Sequence, residues 1–285
     1  MIFRILLLAL IQTTTNLWSQ SDSQFKVLDR EGKSTWQNLT YDMGNVFEGV
    51  GYAYSRPLYW GKSDFSTLGL VLGGTAAVYT FDQEIDDVAN RNELPKILED
   101  YGWYAGSPQN NYGFVGAVYL TGLFTKSERL RRTGVLLIAG NTSTGFVQQL
   151  TKSLVGRARP KGGFGKNHFR PFGGDSVYRS FPSGHAVLTF TNAHIMAKLF
   201  DNGWIKAGIY AVGVIPGISR IYADAHWASD VVLSWAMSYF MVEAIDFFLD
   251  RKYADKFNKE GRDNGLLSRI DLRMGPSTVG FAYKF

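Results

Sequence analysis

The chain has 285 residues, a net charge of +5 and 45% hydrophobic residues, so it can bury one large core or two small ones. Its mean hydropathy of −0.10 is ordinary for a globular protein and low for a chain made mainly of membrane spans. It has no cysteine, which excludes disulfides and thiolate metal sites.

The first 19 residues have the pattern of an export signal. Arg4 supplies a basic start, Ile5–Ile11 is an unbroken apolar run, and Ser19 ends a suitable cleavage sequence. The apolar run is much shorter than the ~20 residues that span a bilayer. We therefore predict a signal peptide over residues 1–19 and an exported protein of the periplasm or cell envelope. An uncleaved membrane anchor is the alternative.

Most of the remaining chain has the apolar spacing of helices, separated by Gly, Asn and Asp. The charge-free runs at 186–197, 207–219 and 231–242 have a length typical of buried core helices. We therefore expect an all-α, multi-helix globular body, with a membrane surface as a further partner and Phe65–Phe81 as the best candidate for a membrane span. The predicted helices are Phe65–Phe81, Tyr112–Phe124, Ser127–Leu154, Ser183–Phe200, Trp204–Ile218 and Trp227–Phe248.

The C-terminal tail alternates in the manner of strands. Ile270, Leu272 and Met274 alternate with polar residues, a Gly-Pro-Ser turn follows, and the alternation resumes up to Phe285. One hairpin cannot close a barrel, which takes roughly 8 strands or more, so we predict a short β-hairpin packed on the helical body. The predicted domains are a signal peptide (1–19), an N-terminal extension (20–62), a helical domain (63–252) and a tail with the hairpin (253–285).

The positive charge is concentrated in one stretch. Residues 152–185 contain seven Lys or Arg and one Asp, which leaves the rest of the chain close to neutral. Such a local focus indicates an anion site, whereas nucleic acid calls for a long basic face with aromatic platforms. We therefore expect no nucleic-acid partner. A solvated basic loop is the alternative.

The first motif in this stretch runs from Lys152 to Arg159 and Pro160. Pro160 disfavours helix at the residue before it, so a long helix should end here. Lys152 and Arg159 would share a face if the helix reached that far. Arg binds phosphate oxygens as a bidentate fork and Lys as a point charge. A basic helix end that faces its own dipole is the alternative.

The second motif is Pro-Ser-Gly-His at 182–185, directly before an apolar helical run. Ser183 is a good N-cap, and the free N–H groups of a helix start bind anions. Gly184 would let a phosphate approach the backbone, and His185 could donate a proton to a leaving oxygen. A capped helix with a surface histidine is the alternative.

The third motif runs from Ser219 and Arg220 to His226 and Asp230. The spacing of four would place His226 and Asp230 on one helical face. The carboxylate could then accept from one imidazole nitrogen and leave the other as a nucleophile. Arg220 adds a third cation. A structural pair and a metal pair are alternatives, although no further ligand lies at metal spacing.

Together the motifs K-x6-R-P, P-S-G-H and S-R-x5-H-x3-D specify eleven positions. In these residues the chain resembles the type 2 phosphatidic acid phosphatase (PAP2) superfamily, which includes bacterial non-specific acid phosphatases and vanadate-dependent haloperoxidases. The resemblance covers Lys152–Asp230 with no departure at any of the eleven positions and extends over roughly Phe65–Phe248. It implies a PAP2-type helical bundle.

The resemblance also implies a role for each motif residue. His226 would attack phosphorus and form a phosphohistidine, Asp230 would orient it, and His185 would protonate the leaving alcohol. Neither a metal nor a cofactor is implied, because cations and a helix N-terminus stabilise the charge on the phosphoryl oxygens. The implied phosphate-binding residues are Lys152, Arg159, Ser183, Gly184 and Arg220.

We therefore predict a metal-independent phosphatase of phosphate monoesters, with phosphatidic acid or another lipid phosphate or pyrophosphate as substrate. The aromatic, Gly-rich loop 161–181 is either a lip that contacts an acyl chain or a surface loop. Two other functions stay open. The same residues could hold vanadate in a haloperoxidase, or the basic loop could bind anionic lipid in a non-catalytic envelope protein.

Overall fold

A computed structural model describes residues 34–258, 270–275 and 278–283 of the chain, with side chains described through Tyr253. The predicted export signal lies outside the described residues. The helices are α1 (Thr35–Ser55), α2 (Lys62–Thr80), α3 (Asp82–Arg91), α4 (Lys96–Gly106), α5 (Pro108–Phe124), α6 (Glu128–Val155), α7 (Gly184–Ala197), α8 (Gly203–Tyr222) and α9 (Ala228–Asn258). Short 3₁₀ turns lie at Arg56–Tyr59, Pro160–Gly162 and Ser176–Tyr178.

The predicted all-α fold is confirmed for the body of the protein, and the six predicted helices correspond to α2 and α5 to α9. Helices α1, α3 and α4 were not predicted. The inner face of α1 mixes the buried polar residues Asn38, Asp42 and Asn45 with apolar ones, so its apolar spacing in the sequence is interrupted. Asp42 is paired there with the guanidinium of Arg131 on α6 (Nε to Oδ2 2.7 Å).

The hydrophobic core surrounds α6, which packs against α1, α5, α7 and α9. Val135 and Leu137 of α6 are fully buried, together with Val242 and Ile245 of α9. Glycine permits a close approach of α5 and α6, because a Cβ on Gly134 would lie 2.7 Å from Cα of Tyr119 on α5. This packing places the C-terminal end of α6 beside the start of α7, where two of the motifs lie.

Helix α1 belongs to this core although it precedes the predicted domain boundary at residue 63. Val46 and Ala53 of α1 are buried in the same cluster as the central residues of α6 and α9. The predicted domain limits themselves stay a prediction.

One helix in the described part of the chain is long and apolar enough to cross a membrane by length and composition. It is Ala228–Tyr253, within α9, and 28% of its apolar window is buried. The choice of Phe65–Phe81 as the best candidate for a span is wrong on this criterion. Helix α2 starts with Lys62, Ser63 and Asp64 and ends at Thr80, which leaves too short an apolar stretch.

The tail backbone forms two strands, β1 (Ile270–Gly275) and β2 (Thr278–Tyr283), that pair antiparallel. Ile270 lies opposite Tyr283, and Gly275 lies opposite Thr278. The expected packing of this hairpin on the helical body stays a prediction.

Candidate active site

The three motifs meet at one end of the bundle. Lys152 lies in the last turn of α6, Ser183 caps the start of α7, and Arg220 lies in the last turn of α8. His226 lies in the turn that joins α8 to α9. Lys152 and His226 are 74 positions apart in the sequence, so the helix packing described above brings the motifs together.

A glycine ends α6 and sends the chain into the site. Gly156 adopts a left-handed conformation (φ +58°) and donates its N–H to the carbonyl of Lys152. A Cβ at this position would lie 1.9 Å from the carbonyl oxygen of Arg170, so only glycine fits. Because α6 ends at Val155, Lys152 and Arg159 do not share a helical face. Arg159 instead lies in extended chain, where its N–H donates to Val177.

The start of α7 is held as its sequence predicts. The Oγ atom of Ser183 accepts from the N–H of Ala186 (3.4 Å), which is the geometry of an N-cap. The Ser183 N–H donates to Oγ of Ser234 (2.8 Å), and the side-chain amide of Gln148 donates to the carbonyl of Pro182 (3.1 Å). These bonds fix the backbone of Gly184 and His185 in place.

His185 lies under helix α4. Its ring is 5.7 Å from the ring of Trp103, and its buried Nε2 atom has no hydrogen-bond partner in the described part of the chain. A Cβ on Gly106 would lie 2.2 Å from Cδ2 of His185, so α4 approaches this histidine directly. Trp103 also lies over the guanidinium of Arg220 (5.1 Å). No motif in the sequence pointed to Trp103 or Gly106.

His226 donates from Nδ1 to the backbone carbonyl of Ser180, at 2.5 Å. A carbonyl can only accept, so Nδ1 carries the proton and the lone pair is on Nε2. The nearest Asp230 oxygen is 3.9 Å from Nδ1, which is beyond hydrogen-bond reach. The predicted direct bond between His226 and Asp230 is therefore wrong. Helix α9 begins at Ala228, so the two residues do not share a helical face.

Asp230 is fully buried and supports the segment that holds His226. Its Oδ2 atom accepts from Oγ of Ser180 (2.5 Å) and from the N–H of Trp227 (2.9 Å). Its Oδ1 atom accepts from Nη1 of Arg157 (2.7 Å). Asp230 thus reaches His226 through Ser180, whose side chain it binds and whose carbonyl receives the imidazole proton.

Four cations at this site have no salt bridge among the residues that the structure describes. They differ in this from Arg157, which is paired with two carboxylates. Arg179 is one of the cations of the basic stretch 152–185 but belongs to none of the three motifs. Its guanidinium donates to the neutral side-chain amide of Gln149 (2.8 Å), one turn before Lys152 on α6. The four unpaired cations are Lys152, Arg159, Arg179 and Arg220.

The unpaired positive charge lowers the pKa of nearby groups. Burial, then the charges of Arg159 and Arg179, lower the pKa of Lys152 to about 7. Burial, then Arg220 and Lys152, lower the pKa of His185 to about 4. Burial, then Lys152 and Arg159, hold the pKa of His226 well below its usual value. The site therefore favours neutral imidazoles and has a strong preference for an anion.

The loop 161–181 is anchored beside the site. Phe164 stacks on His168 with ring centroids 4.9 Å apart, and Tyr178 continues the stack at 5.9 Å from Phe164. Lys166 donates to the carbonyl of Thr80 (2.6 Å), at the end of α2. The expected contact between this loop and an acyl chain stays a prediction.

Part of the chain matches a known protein family. Residues 133–248 match the family model described as the PAP2 superfamily. A lipid A 1-phosphatase of Rhizobium johnstonii is 29% identical over 63% of this chain and 77% of its own length. An undecaprenyl-diphosphatase of Sulfolobus acidocaldarius is 24% identical over 53% of this chain and 68% of its own.

A solved structure also resembles the fold. It is described as a transmembrane PAP2-type phosphatidylglycerolphosphate phosphatase from Bacillus subtilis. The two structures have a TM-score of 0.51 at 20% identity, over 70% of this chain and 98% of the other.

The family match and the relatives, which are named phosphatases, identify the chain as a phosphatase, a hydrolase of phosphate esters. The part of the chain that matches the PAP2 superfamily is residues 133–248, and the chain is similar to phosphatases over a longer stretch.

Proposed function

We propose that the protein hydrolyses lipid phosphate esters by transferring the phosphoryl group first to His226 and then to water. One observation carries this proposal. The bond from Nδ1 of His226 to Ser180 leaves the Nε2 lone pair free, in a site where four cations form no salt bridge with any residue that the structure describes. A neutral nucleophile beside uncompensated positive charge is suited to attack on a phosphate dianion.

In the first step, Nε2 of His226 forms a bond to phosphorus, and the bond between phosphorus and the ester oxygen breaks. His185 gives its proton to that oxygen, so the product leaves as an alcohol. In the second step, a water oxygen attacks phosphorus, the bond to Nε2 breaks, and His185 takes the proton of the water. Inorganic phosphate leaves and both imidazoles return to their starting state.

His185 needs a proton for the first step, yet its pKa of about 4 keeps it neutral in the free protein. The cations Arg220 and Lys152 contribute to that low value. A phosphate dianion compensates those charges, so substrate binding should raise the pKa of His185 and bring the proton with it. Lys152, Arg159, Arg179, Arg220 and the N–H of Gly184 would bind the phosphoryl oxygens.

Two observations support a lipid substrate. The two relatives compared above are named for lipid A and for undecaprenyl diphosphate. Helix α2 also exposes Phe65, Leu70 and Leu72, which are more than half exposed, and an unpaired apolar face of this kind suits a membrane surface. We therefore propose that the protein acts on a phosphorylated lipid at a membrane, in the cell envelope to which its N-terminal pattern would direct it.

The experiment compares phosphate release from phosphatidic acid in detergent micelles with release from a soluble aryl phosphate, each with and without EDTA. We expect release from both in the presence of EDTA, with a higher kcat/KM for the lipid, and none from His226→Gln. Loss of activity with EDTA would contradict the metal-independent mechanism. A clear preference for the aryl phosphate would contradict the lipid substrate.

A further inference from the structure

Asp82 is a buried carboxylate that none of the three motifs includes. It is the first residue of α3, it is fully buried, and it lies outside the residues 133–248 that match the family model. Both of its oxygens are occupied. Oδ2 accepts from Nη2 of Arg157 (2.7 Å) and from Oγ of Ser229 (2.6 Å), and Oδ1 accepts from the N–H of Ser229 (2.9 Å).

We infer that Asp82 is a positioning residue for His226, acting through a continuous chain of buried hydrogen bonds. The chain passes from Asp82 to Arg157, and from Nη1 of Arg157 to Asp230 (2.7 Å). It continues from Asp230 to Oγ of Ser180 and ends at the Ser180 carbonyl, which accepts the proton of His226.

Arg157 serves this chain rather than the substrate. Its side chain is 1% exposed and bridges two carboxylates that are themselves fully buried. Its guanidinium is also covered by aromatic rings, at 4.5 Å from Tyr79 and 5.3 Å from Trp227. Two carboxylates already compensate the charge of Arg157, so this guanidinium is poorly suited to bind a phosphate. Arg159, in contrast, forms no salt bridge with a described residue.

Removing Asp82 would leave Arg157 with a single carboxylate partner in a buried site. The guanidinium would then be free to rotate toward Asp230 alone, and the position of Asp230 sets that of Ser180. The Ser180 carbonyl decides which nitrogen of His226 carries the proton. The position of this carbonyl therefore determines whether Nε2 carries a lone pair and where that lone pair points. For this reason, removal of Asp82 should affect the chemical step more than substrate binding.

Asp86 provides a matched control on the same helix. It lies one turn after Asp82 and is also buried, at 7% exposure, but it makes no hydrogen bond to Arg157, Ser229 or Asp230 among the described residues. Asp86→Asn therefore tests what any loss of a buried carboxylate from α3 does, and Asp82→Asn tests the chain of hydrogen bonds.

The experiment measures kcat and KM with an aryl phosphate, and the imidazole ¹⁵N shifts by NMR, for the full-length chain and its variants. The His226 signals are assigned by their loss in His226→Gln. We expect Asp82→Asn to lower kcat by about 10- to 100-fold with KM changed by less than about threefold. We also expect the wild-type His226 to be protonated at Nδ1 alone, and Asp82→Asn to show both tautomers.

An unchanged tautomer and an unchanged kcat in Asp82→Asn would overturn the inference, as would an equal loss in Asp86→Asn. Ser229→Ala decides the matter if Asp82→Asn does not fold. It removes the hydroxyl that donates to Asp82 and accepts from Nη1 of Arg157 (2.8 Å), and it keeps the ion pair between Asp82 and Arg157. It should show a smaller change in the same direction, and wild-type behaviour in it would then overturn the inference. The effect on turnover rests on the proposed function. If the wild type releases no phosphate, that function fails, while the NMR comparison still tests the positioning.

Discussion

The carbonyl oxygen of Ser180 lies 2.5 Å from Nδ1 of His226, and the Oγ atom of the same residue lies 2.5 Å from Asp230. Ser180 therefore connects the carboxylate and the imidazole that the sequence pattern pairs directly. This relationship makes the residue before the Phe-Pro-Ser-Gly-His segment a part of the site, although no motif position marks it.

Ser180→Ala should lower kcat by about 10- to 100-fold with little change in KM, because it breaks the bond to Asp230 and keeps the carbonyl. Steady-state kinetics with an aryl phosphate measure this. Ser176→Ala is the control, since Ser176 contributes a backbone carbonyl to Arg159 that the substitution retains. The loss in Ser180→Ala and Asp82→Asn together should be smaller than the product of the two single losses. A loss of kcat in the double variant equal to the product of the two single losses would show that the two residues act separately.

His185→Asn should have an effect that depends on the leaving group. For an alkyl phosphate, whose alcohol is a poor leaving group, we expect kcat/KM to fall by about 10²- to 10⁴-fold. For 4-nitrophenyl phosphate the loss should be much smaller, because nitrophenolate leaves without a proton. Equal losses on the two substrates would contradict the role of His185 as general acid.

The pH dependence of kcat/KM should show an alkaline limb near pH 7, where Lys152 loses its proton and the site loses a cation. The charge of Arg179 contributes to this low pKa, so Arg179→Gln should move the limb to higher pH while it raises KM. Lys152→Arg should abolish the limb, because arginine stays charged. A limb at the same pH in all three proteins would show that Lys152 does not set it.

Asp86 should make the stability of the fold depend on pH. Burial, followed by the charges of Asp224, Asp87 and Asp82, raises the pKa of Asp86 to about 6. The folded state therefore holds this proton more tightly than the unfolded state, and the stabilisation is lost as pH rises from about 4 through about 6. The shift corresponds to about 2–3 kcal/mol at most.

Asp86→Asn lacks this titration, so its Tm should exceed that of the wild type by several degrees at pH 8 and match it near pH 4. Thermal unfolding followed by circular dichroism measures both. A difference in Tm of the same size at both pH values would assign the effect to packing rather than to the buried charge.

The sequence was sufficient to predict the residues of the site whose side chains form a spaced motif. The motif residues from Lys152 to Arg220 and both histidines lie at one end of the bundle, and the roles that the resemblance implies for them stay predictions. Helices with long apolar runs, such as α7 and α8, were also predicted within a few residues of their observed ends.

What could not be predicted depends on buried polar contacts between distant segments. Asp82 lies on a short, acidic helix whose sequence suggests a solvated surface, and only the fold brings it to Arg157. The spacing of four between His226 and Asp230 suggested one helical face, but the helix begins only at Ala228 and His226 lies in the turn before it. A backbone carbonyl such as that of Ser180 carries no signal in a sequence at all.

The most direct test of the account is to trap the covalent intermediate. Rapid acid-free quenching of the wild type with ³²P-labelled substrate should yield a protein-bound phosphate that is stable to alkali, labile to acid, and mapped to His226. His226→Gln should yield no label, and His185→Asn should retain it for longer, since His185 also activates the water. Phosphate release by the wild type without any labelled protein, or label that persists in His226→Gln, would contradict the role of His226 as nucleophile.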